Sequence, residues 1–150
     1  MSLDLSRPVS PPRPGGRLDI VISALSSDAH TWNLVFVQLL LEELGHEVRN
    51  LGPCVPDSVV VQACREQMPD LLLVTSINGH GVRDGTSLIR AVRQRPELAS
   101  MQVAIGGVLG IDGTQHSSKL LAAGFDAVFE EHAGRASLRA YVGALRNRHE

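Results

Sequence analysis

Aromatic residues are scarce in this 150-residue chain: Trp32, Phe36, Phe125, Phe129 and Tyr141 make up 3% of it. A protein that stacks bases or sugars on an exposed platform needs more of them, so that class is set aside. No sign of charge dominates. Fourteen Lys and Arg stand against sixteen Asp and Glu, a formal net charge of -2, so nothing draws the chain to nucleic acid or an anionic membrane. No apolar run is long enough to span a bilayer. The first residues are rich in proline rather than apolar, so no secretory leader is expected. Cysteine is nearly absent. Cys54 and Cys64 form no CxxC pair, a usage that fits a reducing, cytoplasmic setting.

What is present suits one globular domain: 43% hydrophobic and 20% charged residues. Residues 1–17 (MSLDLSRPVSPPRPGGR) carry four prolines and two glycines without apolar periodicity, and read as a flexible tail. Residues 18–150 read as the domain. LDIVISAL (18–25) is a short, nearly continuous apolar run, as a strand buried on both faces requires. WNLVFVQLLLEELG (32–45) has helical spacing and ends in Gly. HEVRNLG (46–52) is a second strand, and DSVVVQACREQM (57–68) a helix with Asp57 as its expected N-cap. DLLLVTSI (70–77) is a third strand, followed by a helix ending near Arg95-Pro96. MQVAIGG (101–107), QHSSKLLAAG (115–124), FDAVFE (125–130) and RASLRAYVGALRNR (135–148) complete a strand–helix–strand–helix series.

Five such β-α units predict a flavodoxin-like, Rossmann-like doubly wound sheet: five parallel strands in the order 2-1-3-4-5, with helices on both faces. Ligands of such sheets sit beyond the carboxyl ends of the strands. There the chain places SSDAHTWN (26–33), TSINGHG (75–81) and GGVLGIDG (106–113), its most polar or Gly-rich core loops. Asp28-Ala29-His30 is a short acid–imidazole pair. It reads either as a helix-capping Asp with an exposed His, or as a metal-ligating His steadied by a carboxylate. His30, His46, His80, His116, His132 and His149 show no HExxH or close Cys/His spacing. A metal held by His30 would therefore take its other ligands from a macrocycle, which needs one axial protein ligand.

The chain resembles the cobalamin-binding family, whose pattern is Asp-x-His-x-x-Gly, then Ser-x-Leu, then Gly-Gly. Here these positions read Asp28-Ala29-His30-Thr31-Trp32-Asn33, Thr75-Ser76-Ile77 and Gly106-Gly107. The intervening stretches, 41 residues from Leu34 to Val74 and 28 from Asn78 to Ile105, resemble the family spacing. The likeness runs over residues 18–145 and is greatest to the small subunits of glutamate (methylaspartate) mutases, in VTSINGHG (74–81) and GFDAVFEEHAG (124–134). Asn33 stands where the family has Gly, Thr75 where it has Ser, and Ile77 where it has Leu.

The resemblance implies a cofactor and a division of labour. Cobalamin would bind with its own base displaced, His30 would be the lower axial ligand to cobalt, and Asp28 would hold the far ring nitrogen. Thr75 would bond near the displaced tail and Ile77 would pack its slot. Gly106, Gly107, Val108, Leu109 and Gly110 would wall that slot. Ser27 and Thr31 would meet corrin amides, with Ala29 and Ser76 lining the site between these contacts. Adenosylcobalamin would serve a radical carbon-skeleton isomerisation of the glutamate to 3-methylaspartate type. No catalytic residue is expected in this chain. It has no arginine cluster at the three loops to clamp two carboxylates, so a larger barrel subunit would hold the substrate. Two other functions compete: a corrinoid methyl carrier, disfavoured because a Pro-rich stretch and no helical cap precedes the first strand, and a non-catalytic cobalamin-binding or sensor module. A phosphoacceptor receiver shares the topology, but this chain has Thr75-Ser76 and no Asp at the end of the third strand.

Overall fold

Ile20, Val21, Ile22, Val74, Val103 and Ile105 are β-branched and fully buried, which suits a pleated sheet covered on both sides. The computed structural model describes residues 16–26, 32–76, 81–107, 116–130 and 134–148. Five strands form the sheet: β1 (Asp19–Ala24), β2 (Glu47–Asn50), β3 (Leu71–Ser76), β4 (Gln102–Gly107) and β5 (Ala127–Glu130). Their order is β2-β1-β3-β4-β5, and every neighbouring pair is parallel. The helices are α1 (Trp32–Glu43), α2 (Asp57–Gln67), α3 (Gly81–Arg93), α4 (His116–Ala123) and α5 (Gly134–Arg148). The expected flavodoxin-like topology is therefore the observed one.

Strand alternation divides the core in two. Val21, Leu72, Val74 and Ile105 face α2, α3 and α4 through Val60, Cys64, Ile89 and Leu120. Ile20, Ile22, Leu73 and Phe129 face α1 and α5 through Leu34, Leu41, Leu138 and Val142. Each such side chain, fully buried, contributes about 1.5–3 kcal/mol relative to exposure. Burial also pushes the Cys64 thiol up to about 12, so it stays protonated as a core side chain, while Cys54 is exposed.

Two boundaries differ from the sequence reading. The N-cap of α2 is Pro56, extended at φ -61° and ψ 149°, with no side-chain capping bond. Asp57 is instead the first helical residue, and its Oδ2 accepts a 2.5 Å bond from the Ser87 hydroxyl of α3. A carboxylate there still complements the helix dipole. The third helix stops at Arg93, and Pro96–Leu98 form a separate 3-10 turn. Pro96 holds Arg95 out of the helical region, at φ -98° and ψ 110°.

The amino edge of the sheet is closed by bonds internal to the fold. Asp70 Oδ2 accepts from the Asp19 amide at 2.8 Å, and Asp126 Oδ2 accepts from the Val103 amide at 2.8 Å. The Arg93 guanidinium joins Asp126 at 2.9 Å, the Gly124 carbonyl at 2.9 Å and the Met101 carbonyl at 3.1 Å. His46 belongs to the same edge: its Nδ1 accepts from the Leu18 amide at 2.9 Å. Burial, and next the Arg146 charge, hold the His46 imidazole below its ordinary range against the opposing pull of Asp70. A depressed folded-state value means that the fold favours neutral His46. Its contribution to stability is present above pH about 6.5 and is lost as pH falls from there through the folded value. Urea unfolding across pH 5–7 should show this loss in the wild type and a shallower loss in His46→Asn, which keeps an acceptor that cannot protonate; identical slopes would remove the assignment.

No described helix is long and apolar enough to cross a membrane.

Candidate functional site

Parallel pairing brings distant residues into one row at the carboxyl edge. Ala24 of β1 pairs with Thr75 of β3, Thr75 with Gly106 of β4, and Gly106 with Phe129 of β5. One step further out, Ser76 pairs with Gly107 and Gly107 with Glu130. The Ala24 amide donates to the Gly52 carbonyl and the Leu25 amide to the Thr75 carbonyl, both at 3.1 Å, so the end of β1 is held from two sides. Thr75, Ser76, Gly106 and Gly107 thus lie together. Ser27, Asp28, Ala29, His30, Thr31, Ile77, Val108, Leu109 and Gly110 lie outside the described residues, as does His80.

The row has a defined face. Thr75 shares the parity of Leu71 and Leu73, and Gly106 that of Ala104, so both look toward α1 and α5. On that face α1 packs over β1 and β2 while α5 packs over β5, which leaves β3 and β4 as the seam between the two helices. Ala24, Thr75 and Gly106 carry small side chains or none at the carboxyl end of this seam. Thr75 is buried and offers a hydroxyl. Ser76 is also buried, but its parity is that of Leu72 and Val74, toward the opposite face.

The two glycines do different things. A Cβ on Gly107 would fall onto the Ser76 carbonyl oxygen and lie 2.9 Å from its carbonyl carbon, and the backbone there has φ +117°. Gly107 is required by the pairing of β3 with β4 itself. Among the described residues, a Cβ on Gly106 would meet the Phe129 carbonyl oxygen at 3.4 Å and the Phe129 Cβ at 3.6 Å, ordinary contact distances. The described neighbours therefore tolerate a side chain at Gly106.

Phe129 is a site residue that the sequence reading left out. It is buried at the α5 end of the row, and its ring meets Tyr141 edge-on at 5.6 Å and 63°. The Tyr141 hydroxyl in turn donates to Gln102 Oε1 at 2.8 Å, so the aromatic wall is braced. The available signal was an aromatic on the strand beside a glycine strand, an arrangement in which the ring covers the bare backbone. Asp84, in the first turn of α3, is likewise buried and lies 3.2 Å from the Arg83 guanidinium. The row itself is neutral. Among the described residues it offers one hydroxyl, a glycine backbone and an aromatic side wall.

Relatives bear on what that ligand is. The chain is 30% identical over 114 residues to a protein of Fusobacterium nucleatum named glutamate mutase sigma subunit, covering 74% of this chain and 83% of that one. It is 28% identical to a protein of the same name from Halobacterium salinarum, over 77% of this chain and 78% of that one. Among solved structures, a cobalamin-binding protein from Desulfitobacterium hafniense superposes with a TM-score of 0.66 at 20% identity. That match takes in 84% of this chain and 59% of the other, so this chain spans about three-fifths of that protein. A receiver domain of a histidine kinase from Syntrophus aciditrophicus superposes equally well, at 0.66 and 16% identity over 87% of this chain and 91% of the other. Likeness at this level reports the fold alone, and the fold hosts both. The family comparison separates them: the B12 binding domain matches residues 18–138, from the start of β1 into α5. The chain belongs to the B12-binding domain family.

Proposed function

We propose that this chain is the cobalamin-carrying small subunit of an adenosylcobalamin-dependent carbon-skeleton mutase of the glutamate to 3-methylaspartate type. The observation that carries the reading is the neutral row Ala24–Thr75–Gly106, walled by Phe129, at the ends of the strands that lead to Asp28-x-His30 and Gly106-Gly107. The row passes a simple test of fit. Small residues on the seam between α1 and α5 are what a flat heteroaromatic tail needs in order to lie against the sheet. The names of the relatives support the mutase assignment.

Bound adenosylcobalamin supplies the radical chemistry that a carbon-skeleton rearrangement needs. The chain's own residues bind and orient it. His30 would hold the cobalt through one ring nitrogen, and Asp28 would accept the N–H of the other, selecting one tautomer and raising ligand basicity. Thr75 would offer its hydroxyl to the cofactor's nucleotide tail, Ile77 would pack against it, and Gly106 would leave it room. Gly107, Val108, Leu109 and Gly110 continue the wall. Ser27, Ala29 and Thr31 would complete the lining, whereas Ser76, expected from the sequence to join them, faces the opposite side of the sheet. A larger barrel subunit would hold the substrate, a division of labour that the relatives' names as sigma subunits support.

Electron paramagnetic resonance of the protein with cob(II)alamin tests this directly. Labelling all histidines with nitrogen-15 should turn the axial superhyperfine triplet into a doublet. An unchanged triplet, in the presence of a mutase large subunit as well as without it, would mean that no protein histidine binds cobalt.

A further inference from the structure

The segment that carries Asp28 and His30 runs from the end of β1 to the start of α1, and one side chain outside it ties those two elements together. Asn50 is the last residue of β2. Its Oδ1 accepts from the Gly52 amide at 2.8 Å, and its Nδ2 donates to Gln38 Oε1 of α1 at 3.1 Å. The backbone donor at Gly52 demands an oxygen on that side, which fixes the orientation of the amide. Gly52 in turn accepts from the Ala24 amide at 3.1 Å, at the end of β1. A continuous path therefore runs Gln38–Asn50–Gly52–Ala24, from the helix after the ligand segment to the strand before it. Gln38 is further held by Glu42, which accepts from its Nε2 at 3.2 Å.

The path matters because of how α1 is otherwise held. Leu34, Leu40 and Leu41 seat the helix through apolar contacts. Such contacts are non-directional and resist a small slide along the helix axis weakly. The Gln38–Asn50 bond is directional and fixes axial position. A ligating imidazole needs its nitrogen placed within about 0.5 Å, so the anchors of both ends of its segment are part of the site. Only a side chain with a donor and an acceptor on one short stem serves both partners. Aspartate keeps the acceptor for Gly52 and loses the donor for Gln38.

We infer that Asn50 is a positioning residue for the cobalt-ligating segment, acting through Gly52 on the end of β1 and through Gln38 on α1. This rests on the cobalamin reading above. Asn50→Ala should weaken binding of cob(II)alamin roughly tenfold, the size seen when groups that orient a metal ligand are removed. Asn50→Asp should fall between Asn50→Ala and the wild type. Gln38→Ala, at a partly exposed helix position, should move in the same direction, and keeps the test open if Asn50→Ala does not fold.

The readout that separates positioning from simple stability is spectroscopic. Each variant is saturated with cob(II)alamin at a temperature where circular dichroism shows it fully folded, with nitrogen-15 in its histidines. The share of cobalt carrying the nitrogen-15 doublet should drop in Asn50→Ala and Gln38→Ala. Affinities within about twofold of wild type, with an undiminished doublet in both variants, would overturn the inference while leaving the cobalamin reading intact. A wild-type protein with no doublet would instead remove the cobalamin reading, and this inference with it.

Discussion

Gly107→Ala should unfold the carboxyl end of the sheet, whereas Gly106→Ala should leave the fold untouched. The new Cβ at Gly107 meets the backbone of Ser76, which no rotamer change can move aside, and the local φ of +117° is itself costly for an L-residue. Together these should cost on the order of 3 kcal/mol, a fall in Tm of roughly 10 °C for a chain of this size. At Gly106 the added methyl meets Phe129 at ordinary contact distance. Replacing glycine by alanine inside a strand then contributes about 0.5–1 kcal/mol of stability. Gly106→Val extends the comparison, because its branched side chain enters the seam beside Thr75. It should keep the wild-type Tm within about 3 °C and lose cobalamin affinity by at least about tenfold, or about 1.4 kcal/mol. Thermal unfolding and a cobalamin titration on the three variants decide the matter. Equal destabilisation by Gly106→Ala and Gly107→Ala would refute the division of roles, and wild-type affinity in Gly106→Val would remove the tail from the seam.

The second large effect belongs to His30. His30→Ala should abolish the protein-derived nitrogen splitting on cob(II)alamin and reduce affinity by about 10–100-fold, or about 1.4–2.8 kcal/mol. Stability should change little, since a lost ligand leaves the two cores intact. Free imidazole added to the variant should restore a nitrogen signal if the cavity left behind is open to the lower face of the ring. A splitting retained in His30→Ala without added imidazole would show that another group binds cobalt. The two predictions probe different parts of the same site. Under the proposed reading, Gly106 would govern where the cofactor's tail lies, and His30 would govern what binds the metal.

Much of the architecture could be read before any coordinates. LDIVISAL, DLLLVTSI and MQVAIGG are apolar runs too short for buried helices, and each is followed by a helix-period stretch, so parallel pairing was the consistent solution. The errors fell where a local signal met a tertiary partner. Asp57 looks like a cap in sequence, but Pro56 takes that place and the Asp57 carboxylate bonds Ser87, thirty residues away. Nothing near Phe129 in the chain says that it lies beside Gly106, while the register of β4 with β5 says so at once.

The division between the two sources of information has one physical cause. Periodicity, chain-breaking residues and apolar content act over a few neighbouring residues. The sequence by itself therefore determined five β-α units and a sheet covered on both faces, and it names the edge where a ligand is expected. It also placed Asp28-x-His30, Thr75 and Gly106-Gly107 at that edge, because connectivity puts them just after strands 1, 3 and 4. Only the tertiary structure decided which of these residues share a row. Ala24, Thr75, Gly106 and Phe129 meet through hydrogen-bond register between strands far apart in the chain. The same register set the Ser76 carbonyl against Gly107 and gave Gly106 ordinary contacts with Phe129, and packing of α1 against β2 turned Asn50 toward Gln38. Such contacts depend on how whole elements align, a property that no local stretch of sequence carries.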